Sequence, residues 1–214
     1  MSTAAAYAAR EPVPPNPLTV LRDDGPAARA LGRIGAALPL PAFALALLAL
    51  VPVLVAAIAG GASHAVGGLV LLWVVVVGGA SSGARRLPRM AWAATPLMRL
   101  TEYATLIWLV GLDGASAYPA AYALIAALTF RHYNLVYRLR HSGVPPAPWI
   151  NALSLGWEGR LVAVYLLLVL GLVPAGVYVL AAVLGSAFVA EAVYGWVFVG
   201  RVEPSSMEDQ EGNE

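Results

Sequence analysis

The sequence predicts an all-α polytopic membrane protein: about six transmembrane helices preceded by an N-terminal amphipathic interfacial helix. Three observations carry that prediction. The chain is 60% hydrophobic and 12% charged, with a mean hydropathy of +0.74, whereas a soluble domain carries about 25% charged residues. Its apolar residues fall into runs close to the ~20 residues that cross a bilayer's hydrocarbon. All 13 basic side chains are arginines, and all fall on one side of those runs.

The elements follow in chain order. Residues 1–20 are rich in Ala and Pro without an apolar period and read as a flexible tail. From Leu21 to Ala37 the pattern changes. Asp23 or Asp24 can cap a short helix with Pro26 in its first turn. Leu21, Ala28, Leu31 and Ile34 then form one face and Arg22, Arg29 and Arg33 another, as in a helix lying on a membrane surface. No signal peptide is read here, so the first apolar run is expected to stay in the membrane. Leu38–Gly60 is the first span, with Pro52 expected to kink it in a way that neighbouring helices accommodate. Val66–Gly79, extended to Ala62–Gly83, is the second; Leu97–Leu112 is the third; Tyr118 to about Tyr137 is the fourth. The apolar stretch Leu161–Gly200 is too long for one crossing. Pro174-Ala175-Gly176 divides it into Gly156–Val173 and Val177–Val199. The acidic segment 203–214 reads as a disordered tail, leaving 21–202 as the membrane domain.

Charge placement tests this segmentation. Arg10, Arg22, Arg29 and Arg33 precede span one, while Arg85, Arg86, Arg89 and Arg99 lie between spans two and three. Arg131, Arg138, Arg140 and Arg160 flank the connection from four to five, and Arg201 follows six. The other three connections carry only His64 and Asp113. The positive-inside rule then puts both termini in the cytoplasm. Five spans would scatter the arginines over both sides.

Several function classes are disfavoured. The net charge is +1, so no basic field points to nucleic acid. Without cysteine there is no thiol nucleophile and no Cys-ligated metal. No Walker loop, nucleotide-binding glycine fingerprint or nucleophile elbow occurs. His64, His132 and His141 lack metal-ligand spacing, and the predicted spans contain no Asp; no cofactor is expected.

The candidate site residues are ionisable groups near or inside the spans, which are functional candidates by default. Glu102 lies inside span three with Arg99 three positions before it. Glu191 precedes Arg201 by ten residues, about 15 Å of helix. The string RHYNLVYRLRH is the densest polar run. In helical register Arg131, Asn134 and Arg138 share one face, and Tyr133, Tyr137 and Arg140 an adjacent one. A Pro-rich loop, GVPPAPW, and then GWEGR follow, adding Glu158 and Arg160. Arginines one or two turns apart, with Asn134 and His132 beside them, suit a phosphorylated ligand. Arginine with Tyr and Trp at a helix end is also an ordinary interfacial anchor. The candidate ligand-binding set is Glu102, Arg131, His132, Asn134, Arg138, Glu158, Arg160 and Glu191, of which Glu102, Arg131, Asn134, Arg138 and Arg160 are expected to line a polar cavity open to the cytoplasm; no catalytic or metal-binding residue is assigned.

The strings LRDDGPAAR, RLTEYA, RHYNLVYRLR and PPAPWI…GWEGR, in that order, resemble an actinobacterial membrane domain of unknown function found fused to, or beside, CDP-alcohol phosphotransferases and sugar nucleotidyltransferases. The resemblance runs from about Leu21 to Arg201. Members of that domain often carry Asp where this chain has Asn134. A fainter resemblance is to the CDP-alcohol phosphotransferases themselves, which also have a juxtamembrane helix and six spans. Their metal motif, D-x2-D-G-x2-A-R-x8-G-x3-D-x3-D, falls where this chain reads GGASSGARRLPRMAWAATPLMRLTEY. Met98 or, in another register, Glu102 takes the place of its final Asp, and the other aspartates are missing. DGPAAR at Asp24–Arg29 matches part of the motif but precedes span one and is read as a coincidence of composition.

These resemblances imply a non-catalytic membrane module of phospholipid or phospho-alcohol metabolism. It would bind a lipid or phosphorylated headgroup, or scaffold a transferase. The alternatives are a phosphotransferase with Glu102 as general base and a transporter or flippase with Glu191 on its path. The candidate partners are membrane lipids, a CDP-alcohol phosphotransferase and a second copy of the chain, with no nucleic acid.

Overall fold

A computed structural model describes residues 21–141 and 148–199, with side chains for 21–140 and 149–197. The tails expected at 1–20 and 203–214 lie outside the described residues, as do most of the Pro-rich loop and the side chain of His141. Among the described residues every regular element is helical. We number the α-helices α1 (Pro26–Gly35), α2 (Ala42–Ala59), α3 (His64–Ala80), α4 (Ala94–Gly111), α5 (Tyr118–His141), α6 (Pro148–Leu153), α7 (Gly156–Val169) and α8 (Ala175–Tyr194). A π-helical turn, Gly195–Val199, continues α8.

Three helical stretches are long and apolar enough to cross a membrane: Ala42–Ala59, Trp149–Val169 and Ala175–Val197; His64–Ala80 is apolar but shorter. Their outer faces expose Val55, Ile58, Leu69, Leu72, Val179 and Val183, with Ile58 87% exposed. A water-facing surface does not present contiguous apolar area on that scale, and the association is with a membrane. α4 and α5 are less apolar because Arg99 and Glu102 interrupt one, and Arg131, His132, Asn134 and Arg138 the other. The helices pack as neighbours α2–α4, α1–α3, α2–α3, α5–α8 and α4–α7. Their shared core runs from Val53 and Val74 through Leu106, Leu109 and Leu124 to Leu161, Leu184 and Phe188.

Pro52 sits inside α2, and the helix runs on through it. Proline has no amide hydrogen, so the carbonyl four residues earlier, Leu48, loses its helical donor. Trp73 on α3 supplies one: its indole Nε1 donates to the Leu48 oxygen at 2.9 Å. A neighbouring helix thus repairs the break within an apolar environment.

The entry to the domain differs from the sequence expectation. Neither Asp23 nor Asp24 caps α1; the N-cap is Gly25, with no capping side chain of its own. Ile34, read as part of the apolar face turned to the membrane, is 61% exposed. The residues that pack are Ala28, Gly32 and Gly35, because α1 lies directly on the end of α3. A Cβ at Gly32 would strike Ser82 Oγ, one at Gly35 the Ala80 carbonyl, and one at Gly83 the Gly32 carbonyl. Only glycine permits this backbone approach. The Pro-rich loop also gives way to helix sooner than expected: α6 starts at Pro148, a residue suited to a first helical turn.

Candidate functional site

Where α1, α4, α5, α6 and α7 meet, the chain buries a network of charges. Arg160 on α7 is its centre and is 0% exposed. Its Nη1 donates to Asp23 Oδ2 and to the Ser154 carbonyl, both at 2.8 Å, and its Nε to Glu102 Oε1 at 2.7 Å. Glu102, also 0% exposed, accepts from Arg99 one helical turn earlier, at 2.8 Å. Arg99 in turn donates to the Leu21 carbonyl at 2.6 Å. Arg131 reaches Asp23 Oδ1 at 3.2 Å and Asn151 at 2.9 Å, with its guanidinium 4.8 Å above the Phe188 ring.

Asp23 is thus held between two guanidinium groups. Burial works against its charge, but Arg160, Arg131 and Arg99 overcome that cost and keep its carboxyl far below the usual range. The neighbouring residues extend the network. Asp24 pairs with Arg22 at 2.8 Å and accepts from Trp157 Nε1 at 2.9 Å, while Arg22 donates to Ser81 Oγ at 3.0 Å.

Glu158 supplies the cap that α1 lacks. Its two oxygens accept from the backbone amides of Gly25 and Ala28, each at 3.0 Å. A carboxylate at a helix start satisfies orphan amides and meets the positive end of the helix dipole. The turn into α7 makes this possible. Leu155 and Gly156 adopt φ of 62° and 67°, and the next amide, Trp157 N–H, donates to the Asp23 carbonyl at 3.1 Å.

The eight residues singled out from sequence therefore separate into groups. Glu102, Arg131, Glu158 and Arg160 converge on the segment 23–28. Arg138 and Asn134 on α5 instead pair with Glu191 on α8, forming a second buried cluster. A void of about 10 Å³ beside it, lined by Arg131, Asn134, Leu135, Arg138, Phe188 and Glu191, has room for about one water molecule. His132 turns toward α4, where its Nδ1 lies 2.6 Å from the Tyr103 hydroxyl. The shared face read from sequence holds: Arg131, Asn134 and Arg138 are buried, and Tyr133, Tyr137 and Arg140 exposed.

Sequence reasoning missed Asp23, Asp24 and Arg22 as members of the site and set aside DGPAAR, the string that the network grips. One signal was available. Arg99, Arg131, Arg138 and Arg160 in the helices outnumber Glu102, Glu158 and Glu191, and buried guanidinium groups need matching anions. Asp23 and Asp24 lie on the same predicted side of the membrane as these arginines.

An open cleft lies at the rim of this network. It measures about 540 Å³ and is lined by Asp23, Asp24, Arg29, Gly32, Arg33, Ser82, Gly83 and Asn151. Inside the network four guanidinium groups (Arg22, Arg99, Arg131, Arg160) face four carboxylates (Asp23, Asp24, Glu102, Glu158). Arg29 and Arg33 stand outside that balance: among the described residues no carboxylate pairs with either. Among the described residues, too, no three His, Asp or Glu side chains gather as a metal ion would require.

Residues 15–214 match the model of a family described as "Family of unknown function (DUF5941)". No curated protein and no solved structure matches the chain.

Proposed function

The chain belongs to DUF5941, a family of unknown function, and within it we propose a non-catalytic integral membrane module that binds a phosphorylated headgroup. In this reading the chain crosses the cytoplasmic membrane of a bacterium six times. Both termini and the arginine-bearing ends face the cytoplasm, and α1 lies along that surface. The work belongs to phospholipid or phospho-alcohol metabolism, where a CDP-alcohol phosphotransferase is the candidate partner suggested by the resemblance of its motifs.

The observation that carries the reading is the division of charge. The carboxylates best placed for chemistry are engaged internally: Glu102 is fully buried between Arg99 and Arg160 and lines neither the 540 Å³ cleft nor the void beside Glu191. A general base must reach the proton it removes, and Glu102 is turned toward guanidinium groups instead. Meanwhile Arg29 and Arg33, with which no carboxylate pairs among the described residues, present positive charge to an open cleft of headgroup size.

Purified full-length chain in phosphatidylcholine nanodiscs provides the test. Doping with phosphatidic acid should raise its melting temperature, and no CDP-linked alcohol should turn over with Mg²⁺ or Mn²⁺ present. Turnover by the pure protein would establish the phosphotransferase alternative. An unchanged melting temperature with every phosphorylated lipid tried would refute headgroup binding.

A further inference from the structure

The cleft between α1, the end of α3 and α6 carries a more specific reading, which rests on the headgroup-binding function above. We infer that it is a site for a phosphate monoester in its dianionic form, attached to a hydroxyl-bearing group.

Arg29 and Arg33 are one turn apart on the exposed face of α1, a spacing that puts their side chains about 5–6 Å apart at the base. Both can therefore close on one phosphate from the same side. Arg29 Nε donates to the Gly25 carbonyl at 3.1 Å, which orients the guanidinium and leaves its terminal nitrogens for a ligand. Two uncompensated cations match a dianion, and charge-assisted bonds from guanidinium to phosphate are among the stronger hydrogen bonds available.

The floor of the cleft favours close approach. Gly32 and Gly83 have no side chains there, and Ser82 Oγ lies between α1 and α3, donating to the Ala28 carbonyl at 2.9 Å. The opposite wall holds Asp23, Asp24 and Asn151. Free aspartates would repel a phosphate. Here Asp23 is matched by Arg131 and Arg160, and Asp24 by Arg22. They act as hydrogen-bond acceptors whose charge is already neutralised from behind. A hydroxyl beside the phosphate can donate to Asp23 or Asp24, whereas a second phosphate would face those two carboxylates.

A lipid headgroup and a soluble phosphate ester share this chemistry, and the test separates them. The full chain is placed in phosphatidylcholine nanodiscs, and binding is measured for phosphatidic acid, phosphatidylglycerol, soluble glycerol 3-phosphate and inorganic phosphate. A monoester should bind more tightly than the diester phosphatidylglycerol. It should weaken between about pH 7.5 and pH 5, as the second phosphate ionisation near 6 is reversed. Preference for glycerol 3-phosphate over inorganic phosphate supports the hydroxyl-reading wall. Phosphatidic acid has no free hydroxyl, so its binding without glycerol 3-phosphate binding would identify a lipid phosphate and overturn the hydroxyl-reading wall; competition by glycerol 3-phosphate identifies a soluble ester.

Arg29→Gln and Arg33→Gln should each weaken monoester binding by about tenfold or more, with melting temperature unchanged because both side chains are exposed. The triple variant Arg85→Gln, Arg86→Gln, Arg89→Gln, on the neighbouring loop, should leave it within about twofold. Equal binding of monoester and diester, or equal loss in the loop variant, would overturn the site while leaving headgroup binding intact. Absence of binding to every phosphorylated probe would bring down both.

Discussion

Replacing Asp23 by Asn keeps the shape of the side chain and removes its charge. Asp23 stands 2.8 Å from Arg160 and 3.2 Å from Arg131, and both arginines are buried. Arg160 would retain Glu102, but Arg131 would keep only the neutral Asn151. Removing one partner of a buried ion pair typically costs about 3–5 kcal/mol, because an uncompensated charge is left in a poorly solvated place. For a chain of this size each kcal/mol corresponds to roughly 2–4 °C, so the melting temperature should fall by about 6–20 °C. Thermal unfolding of the full chain in detergent, followed by tryptophan fluorescence, measures it. Asp113→Asn, at an exposed loop, is the control and should melt with the wild type. Adding Arg131→Met to Asp23→Asn should recover part of the loss, since the stranded charge goes too. A melting temperature for Asp23→Asn within about 2 °C of wild type would show that the network does not hold the fold together.

The pH dependence follows from the same carboxylate. The folded state holds the Asp23 carboxyl far below its unfolded value of about 3.9, so its contribution is complete above that pH and declines as pH falls below it. The melting temperature should therefore be flat from about pH 7 to 5 and drop below about pH 4, more shallowly in Asp23→Asn than in wild type. Trp73→Phe should cost roughly 0.6–1.7 kcal/mol by leaving the Leu48 carbonyl without a donor. In a Pro52→Ala background, where the backbone amide is restored, that cost should vanish; an equal cost in both backgrounds would mean that Trp73 acts by packing alone. For the pair between α5 and α8, Glu191→Leu alone should destabilise by about 3–5 kcal/mol, whereas Glu191→Leu with Arg138→Met should be neutral or stabilising in chemical denaturation. A double variant as unstable as the single one would assign the pair a packing role that apolar side chains cannot fill.

The helices were largely legible in the sequence. Apolar runs bounded by Gly, Pro and Arg located α2, α3, α4, α5, α7 and α8, because each must satisfy its own backbone in an apolar surrounding. The α4 start moved from Leu97 to Ala94, since Pro96 is tolerated in a first turn. The buried face of α5 was legible from register alone. What the sequence concealed were bonds between distant segments. Asp23 meets Arg160, and Glu158 meets Gly25, with more than 100 residues between them, and no local period records such a meeting. The cap of α1 was sought among its own neighbours, where most helices find one, but it comes from another helix.

That arrangement has a consequence for how the chain is made. α1 leaves the ribosome early, with the amides of Gly25 and Ala28 open and Asp23 unpaired. The groups that complete them, Glu158 and Arg160, arrive together on α7 after five further helices have been synthesised. Until then α1 and the residues before it are held by their contacts with the end of α3 and by the bonds from Arg99 and Arg131. α1, made before the other described helices, is thus among the last to be secured, and its docking reports that α7 is in place. A nascent chain stalled before residue 158 should leave α1 open to protease, and release past residue 160 should protect it.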